Sequence, residues 1–200
     1  MKTKTILVSV LAGAMALSSC TRKMDEKTVS EMNQFSTEWS AMGEKATEWS
    51  KQLTETTTHA KEFAAKQTAM MNNMSGSKDE AMKTKMGDMM KTTNDNCANL
   101  DAMVNDWNNF KTSWDENTKA YTEWQAKAMK GEMTPEEVNK GMADWRTKMT
   151  EAQQKMDNWN TAYMATKESC EKTMAAGDEM SKSMMTTPAQ TNSPKGKMKK

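Results

Sequence analysis

The chain has 200 residues, with 28 basic and 27 acidic side chains, a mean hydropathy of -0.91, 24 Met, 7 Trp, 3 Cys and a single His. So even a charge balance points away from nucleic acid and other polyanions, and one histidine excludes paired Glu-x-x-His di-iron chemistry and His-rich zinc sites. Abundant Met, Lys, Glu and Ala with few Pro and Gly predicts an all-α chain.

Residues 1–19 have the plan of an export signal: Lys2 and Lys4 at the start, an apolar run from Ile6 to Leu17, then small residues before Cys20. The run is too short to anchor the chain by spanning a bilayer. Its ending, Leu17-Ser18-Ser19-Cys20, resembles the lipobox of bacterial lipoproteins. That resemblance implies cleavage before Cys20 and acylation of Cys20, which binds the mature protein to a membrane without a transmembrane helix. It also implies sorting to the outer membrane, because Thr21 stands where inner-membrane lipoproteins carry Asp. Residues 20–27 then form the lipidated N-terminus and a short linker.

The body, residues 28–181, carries three apolar seams with alternating steps of three and four residues. The first runs from Met32 through Phe35, Trp39, Met42, Ala46, Trp49, Leu53, Thr56, Ala60, Phe63, Gln67 and Met70 to Met74. A second passes through Leu100, Met103, Trp107, Phe110, Trp114, Asn117, Tyr121, Trp124 and Ala128. The third passes through Val138, Met142, Trp145, Met149, Ala152, Met156, Trp159, Tyr163, Thr166 and Cys170, and every Trp lies on one of the three. Helix starts are expected at Thr28-x-x-Glu31, Ser77-x-x-Glu80 and Thr134-Pro135-Glu136-Glu137, and C-terminal caps at Gly76 and Gly131. This predicts helices over about 28–75, 78–130 and 135–180 in a long antiparallel three-helix bundle of coiled-coil type.

Facing residues of an antiparallel hairpin have position numbers with a nearly constant sum, which fixes the expected register. Trp39 should face Trp114, Ala46 face Trp107, and Leu53 face Leu100; between the second and third helices, Val104 should face Tyr163, Trp107 face Trp159 or Asn160, and Cys97 face Cys170. In an exported protein that last pairing predicts a Cys97–Cys170 disulfide, contributing about 4 kcal/mol in the chain-entropy model. Thr54 to His59 and Lys91 to Asn96 are poor helix formers lying side by side in this register, so a bend or break of the second helix is expected near Thr92 to Asn96.

Three helices put the chain's two ends at opposite ends of a rod roughly 70 Å long. Trp concentrates in the half where the first helix begins; the distal end gathers Met70, Met71, Met74, Met82, Met86, Met89, Met90, Met180, Met184 and Met185. Thioethers suit Cu(I) or Ag(I), so this tip is the candidate metal site, set against the plainer reading that seam-spaced Met residues are packing. A plastic methionine surface for a protein partner is a further possibility. Residues 182–200 contain five lysines and no acid, leaving an acidic body, and their Pro, Ser, Thr, Asn and Lys content predicts a disordered tail. A lipid-anchored helical rod ending in Lys200 is similar in plan to murein lipoprotein, which implies Lys200 as a possible point of covalent linkage to peptidoglycan. No phosphate loop, nucleophile elbow or Cys-x-x-Cys is present, and Glu136 and Glu137 suit helix capping better than acid-base work. The expected protein is therefore a non-enzymatic envelope lipoprotein without cofactor, acting as a spacer or scaffold that meets an envelope protein or peptidoglycan at its far end. The alternative is a periplasmic Cu(I)/Ag(I)-binding protein.

Overall fold

A computed structural model describes residues 24–74 and 79–186. They form three helices, α1 (Glu26–Asn73), α2 (Glu80–Met129) and α3 (Pro135–Thr186), packed pairwise against one another as an antiparallel bundle. At 48, 50 and 52 residues the helices are each about 70–80 Å long. No helix among the described residues is long and apolar enough to cross a membrane.

The helix ends show which of the expected signals operate. Thr134 and Glu137 form a reciprocal capping box: the Thr134 N–H donates to the Glu137 carboxylate at 2.7 Å, and the Glu137 N–H donates to Thr134 Oγ1 at 3.2 Å. At Gly131 the chain turns with φ 72°, Gly131 N–H reaching the Ala128 carbonyl and Glu132 N–H the Lys127 carbonyl, which is a Schellman closure of α2. Thr28, in contrast, is not the cap of α1. Asp25 takes that place, its carboxylate accepting from the Thr28 backbone N–H at 2.9 Å and from the Thr28 hydroxyl at 2.8 Å. Likewise Asp79 caps α2 by accepting from Met82 N–H at 3.0 Å. Aspartate is the stronger of two adjacent cap candidates because its charge also meets the positive end of the helix dipole. Ser77 and Gly76 lie outside the described residues.

Two further expectations are corrected. The second helix is unbroken through Thr92 to Asn96, because its polar residues find partners: the Thr93 hydroxyl donates to the Met89 carbonyl at 3.0 Å, and Asn96 Nδ2 donates to Ser169 Oγ on α3 at 3.0 Å. The third helix also continues through Thr186, into residues assigned to the tail, with Met180 and Met184 extending its seam.

The expected register is present. Trp39 and Trp114 stack with ring centroids 4.2 Å apart, Trp107 meets Trp159 edge to face at 6.3 Å, and Leu53, Leu100, Ala46 and Trp107 share one cluster. Polar contacts lock it. The Tyr121 hydroxyl lies 2.7 Å from Ser36 Oγ, Trp39 Nε1 donates to Thr118 Oγ1 at 2.9 Å, and Thr56 Oγ1 lies 2.8 Å from the Tyr163 hydroxyl. A slip of α2 against α1 would leave the groups of the first two of these contacts without partners, each costing about 1–3 kcal/mol. The seam of α1 shifts once, so that Thr57 is buried and Thr56 turns to Tyr163.

Candidate functional site

The core divides along the rod into an aromatic part and a thioether part. One cluster holds Trp49, Trp107, Phe110, Trp159 and Tyr163, and a second, nearer the start of α1, holds Phe35, Trp39, Tyr121 and Trp145. The third, at the distal end, contains Phe63, Met74, Met86, Met89 and Met180, with Met70, Met71, Met82, Met90, Met174 and Met184 packed against them. All three helices contribute thioethers to it. Thus the structure brings together nine of the ten methionines expected at the tip; the side chain of Met185 lies outside the described residues. Met86 is fully buried and Met74, Met89 and Met180 nearly so, which makes these four core residues as well as potential donors.

Sequence reasoning placed Gln67 on the seam without giving it a role. In the structure Gln67 is fully buried, and both its Oε1 and its Nε2 lack a hydrogen-bond partner among the described residues. Its position on α1 between Phe63 and Met70, both members of the distal cluster, puts it in that layer. A buried carboxamide without partners is costly, about 1–3 kcal/mol per unmet group, and few native positions carry one. Gly177 is the other residue whose part was not foreseen. It is buried on α3, and a Cβ there would lie 2.5 Å from Phe63 Cζ and 3.3 Å from Met89 Sδ, so its missing side chain is what lets the Phe63 ring and the Met89 thioether approach.

Cys97 and Cys170 are neighbours as the register predicts, Cys97 packing against the cluster that contains Cys170. They are nevertheless free thiols, and the expected disulfide is not formed. Facing positions on two helices do not by themselves supply the Cα spacing and Cβ directions a bridge requires. Burial pushes both thiols above their ordinary pKa, with Asp101 adding to the rise at Cys97 and the neighbouring Cys97 adding to it at Cys170. Both are therefore held as protonated, poorly nucleophilic groups near neutral pH.

His59 is exposed on α1. Among the described residues no three His, Cys, Asp or Glu side chains gather as a metal-binding group. Glu137 is occupied as a cap, its pKa lowered by the hydrogen bonds from Thr134. Cys20 and Lys200 lie outside the described residues. The chain matches no known family, no curated protein and no solved structure. Its function has to be argued from its own residues.

Proposed function

We propose that this protein is a non-enzymatic lipoprotein of the bacterial envelope with a mechanical role: a spacer, anchored through acylated Cys20, that carries its distal end away from the membrane. The observation that carries this reading is the odd number of long helices. With α1 starting at Glu26, six positions after Cys20, the rod begins close to the proposed anchor, and α3 ends at the opposite extreme. A span of about 70–80 Å follows from helices of this length. The outer membrane is the proposed address, from Thr21, and an envelope protein or the peptidoglycan the proposed distal partner, the latter through Lys200. Isolated peptidoglycan tests the tether: covalently attached protein supports it, and complete release by detergent removes it.

A second reading is favoured by a specific observation, the buried unpartnered Gln67 among methionines from three helices. Thioethers are soft donors that suit Cu(I) or Ag(I), and Met74, Met86, Met89 and Met180 are the residues that would hold such an ion. A bound Cu(I) or Ag(I) would supply storage or transfer of the ion. Titration of the protein with Cu(I) against a competing chelator decides it: failure to compete at micromolar chelator removes the metal reading.

A further inference from the structure

Gln67 carries a hydrogen-bond donor for which the folded chain supplies no use. The residue is fully buried, and neither Oε1 nor Nε2 has a partner among the described residues, so the donor is unmet whichever way the amide is turned. The N–H groups of a carboxamide cannot ligate a metal ion, so thioether-held Cu(I) or Ag(I) leaves them unexplained. What the donor lacks is an acceptor. The distal layer around it is built from the Phe63 ring and from thioethers, whose sulfur accepts only weakly.

Two of those thioethers stand at the right spacing and can be reached from water. Met70 and Met71 follow Gln67 on α1 by three and four residues, the separation at which helical side chains are neighbours. Helical side chains lean toward the N-terminus, so both methionines lie back over the turn that carries Gln67. Both are half-buried and pack against the distal cluster. Met86 stands opposite Gln67 in the register that stacks Trp39 on Trp114, and it is fully buried. A small oxidant in solution therefore meets Met70 and Met71 before it meets Met86.

Oxidation turns such a neighbour into the missing acceptor. The sulfur lone pair attacks one oxygen of hydrogen peroxide, and an S–O bond forms as the O–O bond breaks. The departing hydroxide takes the proton of the transferred oxygen and leaves as water. Sulfur gives up two electrons, the peroxide gains them, and the product is methionine sulfoxide, whose polar oxygen disrupts an ordinary apolar core. Beside Gln67 that oxygen meets an unused N–H.

We propose that Met70 and Met71 are sites of oxidation by hydrogen peroxide, and that Gln67 Nε2 donates to the resulting sulfoxide, keeping the distal layer folded in the oxidised protein. The donor without a partner in the reduced chain acquires one when a neighbouring thioether is oxidised. The distal end is then a two-electron sink for peroxide that keeps its packing. Neither a bound metal nor the lipid anchor enters this step.

The test treats the full chain, in an alkyl maltoside micelle, with hydrogen peroxide and follows each methionine by peptide mass spectrometry. Met129 and Met164, the most exposed methionines, report the peroxide dose. Met70 and Met71 should gain oxygen before Met86. At matched oxidation of Met70 and Met71, urea unfolding should show the folding equilibrium constant of Gln67→Leu falling about tenfold further than that of the wild type. When Met70→Leu and Met71→Leu are also present, Gln67→Leu should make no such difference. In isotope-labelled protein, the side-chain amide resonance that Gln67→Leu removes should move downfield on oxidation. Equal oxidative loss in wild type and Gln67→Leu, or a Gln67 dependence that survives the loss of both methionines, would overturn the proposal. So would an unmoved amide resonance, or oxidation of Met86 ahead of Met70 and Met71.

Discussion

Three glycines inside the helices offer a controlled test of the packing, because the same change, Gly→Ala, meets three different surroundings. Backbone propensity alone favours alanine in a helix interior by about 0.8–1 kcal/mol at each position. At Gly87, exposed on α2, a Cβ would meet nothing within 4 Å, so Gly87→Ala should realise that gain in full. At Gly141 a Cβ would fall 2.4 Å from Trp124 Nε1 and 2.6 and 2.7 Å from two ring carbons. At Gly177 it would fall 2.5 and 2.9 Å from carbons of the buried Phe63 ring. Relieving such overlaps means moving a ring by about 1 Å, and overpacking of this kind costs about 1–3 kcal/mol. Gly141→Ala and Gly177→Ala should therefore lie about 1–3 kcal/mol below Gly87→Ala, with Gly87→Ala itself above the wild type. Urea unfolding followed by circular dichroism measures the differences, provided the three variants share one denaturant slope. In thermal melts the gap should be about 2–4 °C for each kcal/mol. Equal stabilisation by all three substitutions would refute the close approach of α3 to Trp124 and Phe63.

Three other expectations rest on separate groups. Gln67→Met replaces a buried unpartnered carboxamide with an apolar side chain of similar length, and should stabilise the bundle by about 1–3 kcal/mol in the same urea assay; a loss of stability would show that the amide has partners. Asp25 and Glu137 have pKa values lowered by hydrogen bonds from Thr28 and Thr134, so their contribution is complete above the ordinary carboxylate pKa and is lost as pH falls through the lowered folded value. Melting temperature should accordingly decline below about pH 4, and Asp25→Asn with Glu137→Gln should flatten that decline; an unchanged slope would exclude the caps as its source. Iodoacetamide should modify half-buried Cys97 before buried Cys170, and both should react only at pH values above those at which a free cysteine does, because burial raises their pKa. Equal rates at the two sites would contradict the difference in burial.

The fold was legible in the sequence because apolar spacing and turn chemistry act locally. The seam from Met32 to Met74 and the facing of Trp39 with Trp114 follow from helical geometry once three helices are joined by short loops. Competition between neighbouring signals was not legible. Thr28 has the spacing of a cap, yet Asp25 holds the start of α1, and only the folded chain shows which oxygen reaches the free N–H. Weak propensity at Thr92 to Asn96 was overridden by packing and by the bond from Asn96 to Ser169. The methionine tip could be gathered by counting along the helices, but the burial of Gln67 within that layer and the approach of Phe63 to Gly177 depend on side-chain packing that spacing does not determine.

The proposed anchor at Cys20 is the central claim, and intact-mass measurement of the protein purified from the membranes of its bacterial host tests it most directly. The account predicts a chain beginning at Cys20, with the mass of the mature sequence increased by a diacylglyceryl group and, after full processing, a third acyl chain. A mature protein beginning elsewhere, or carrying Cys20 without lipid, would contradict it.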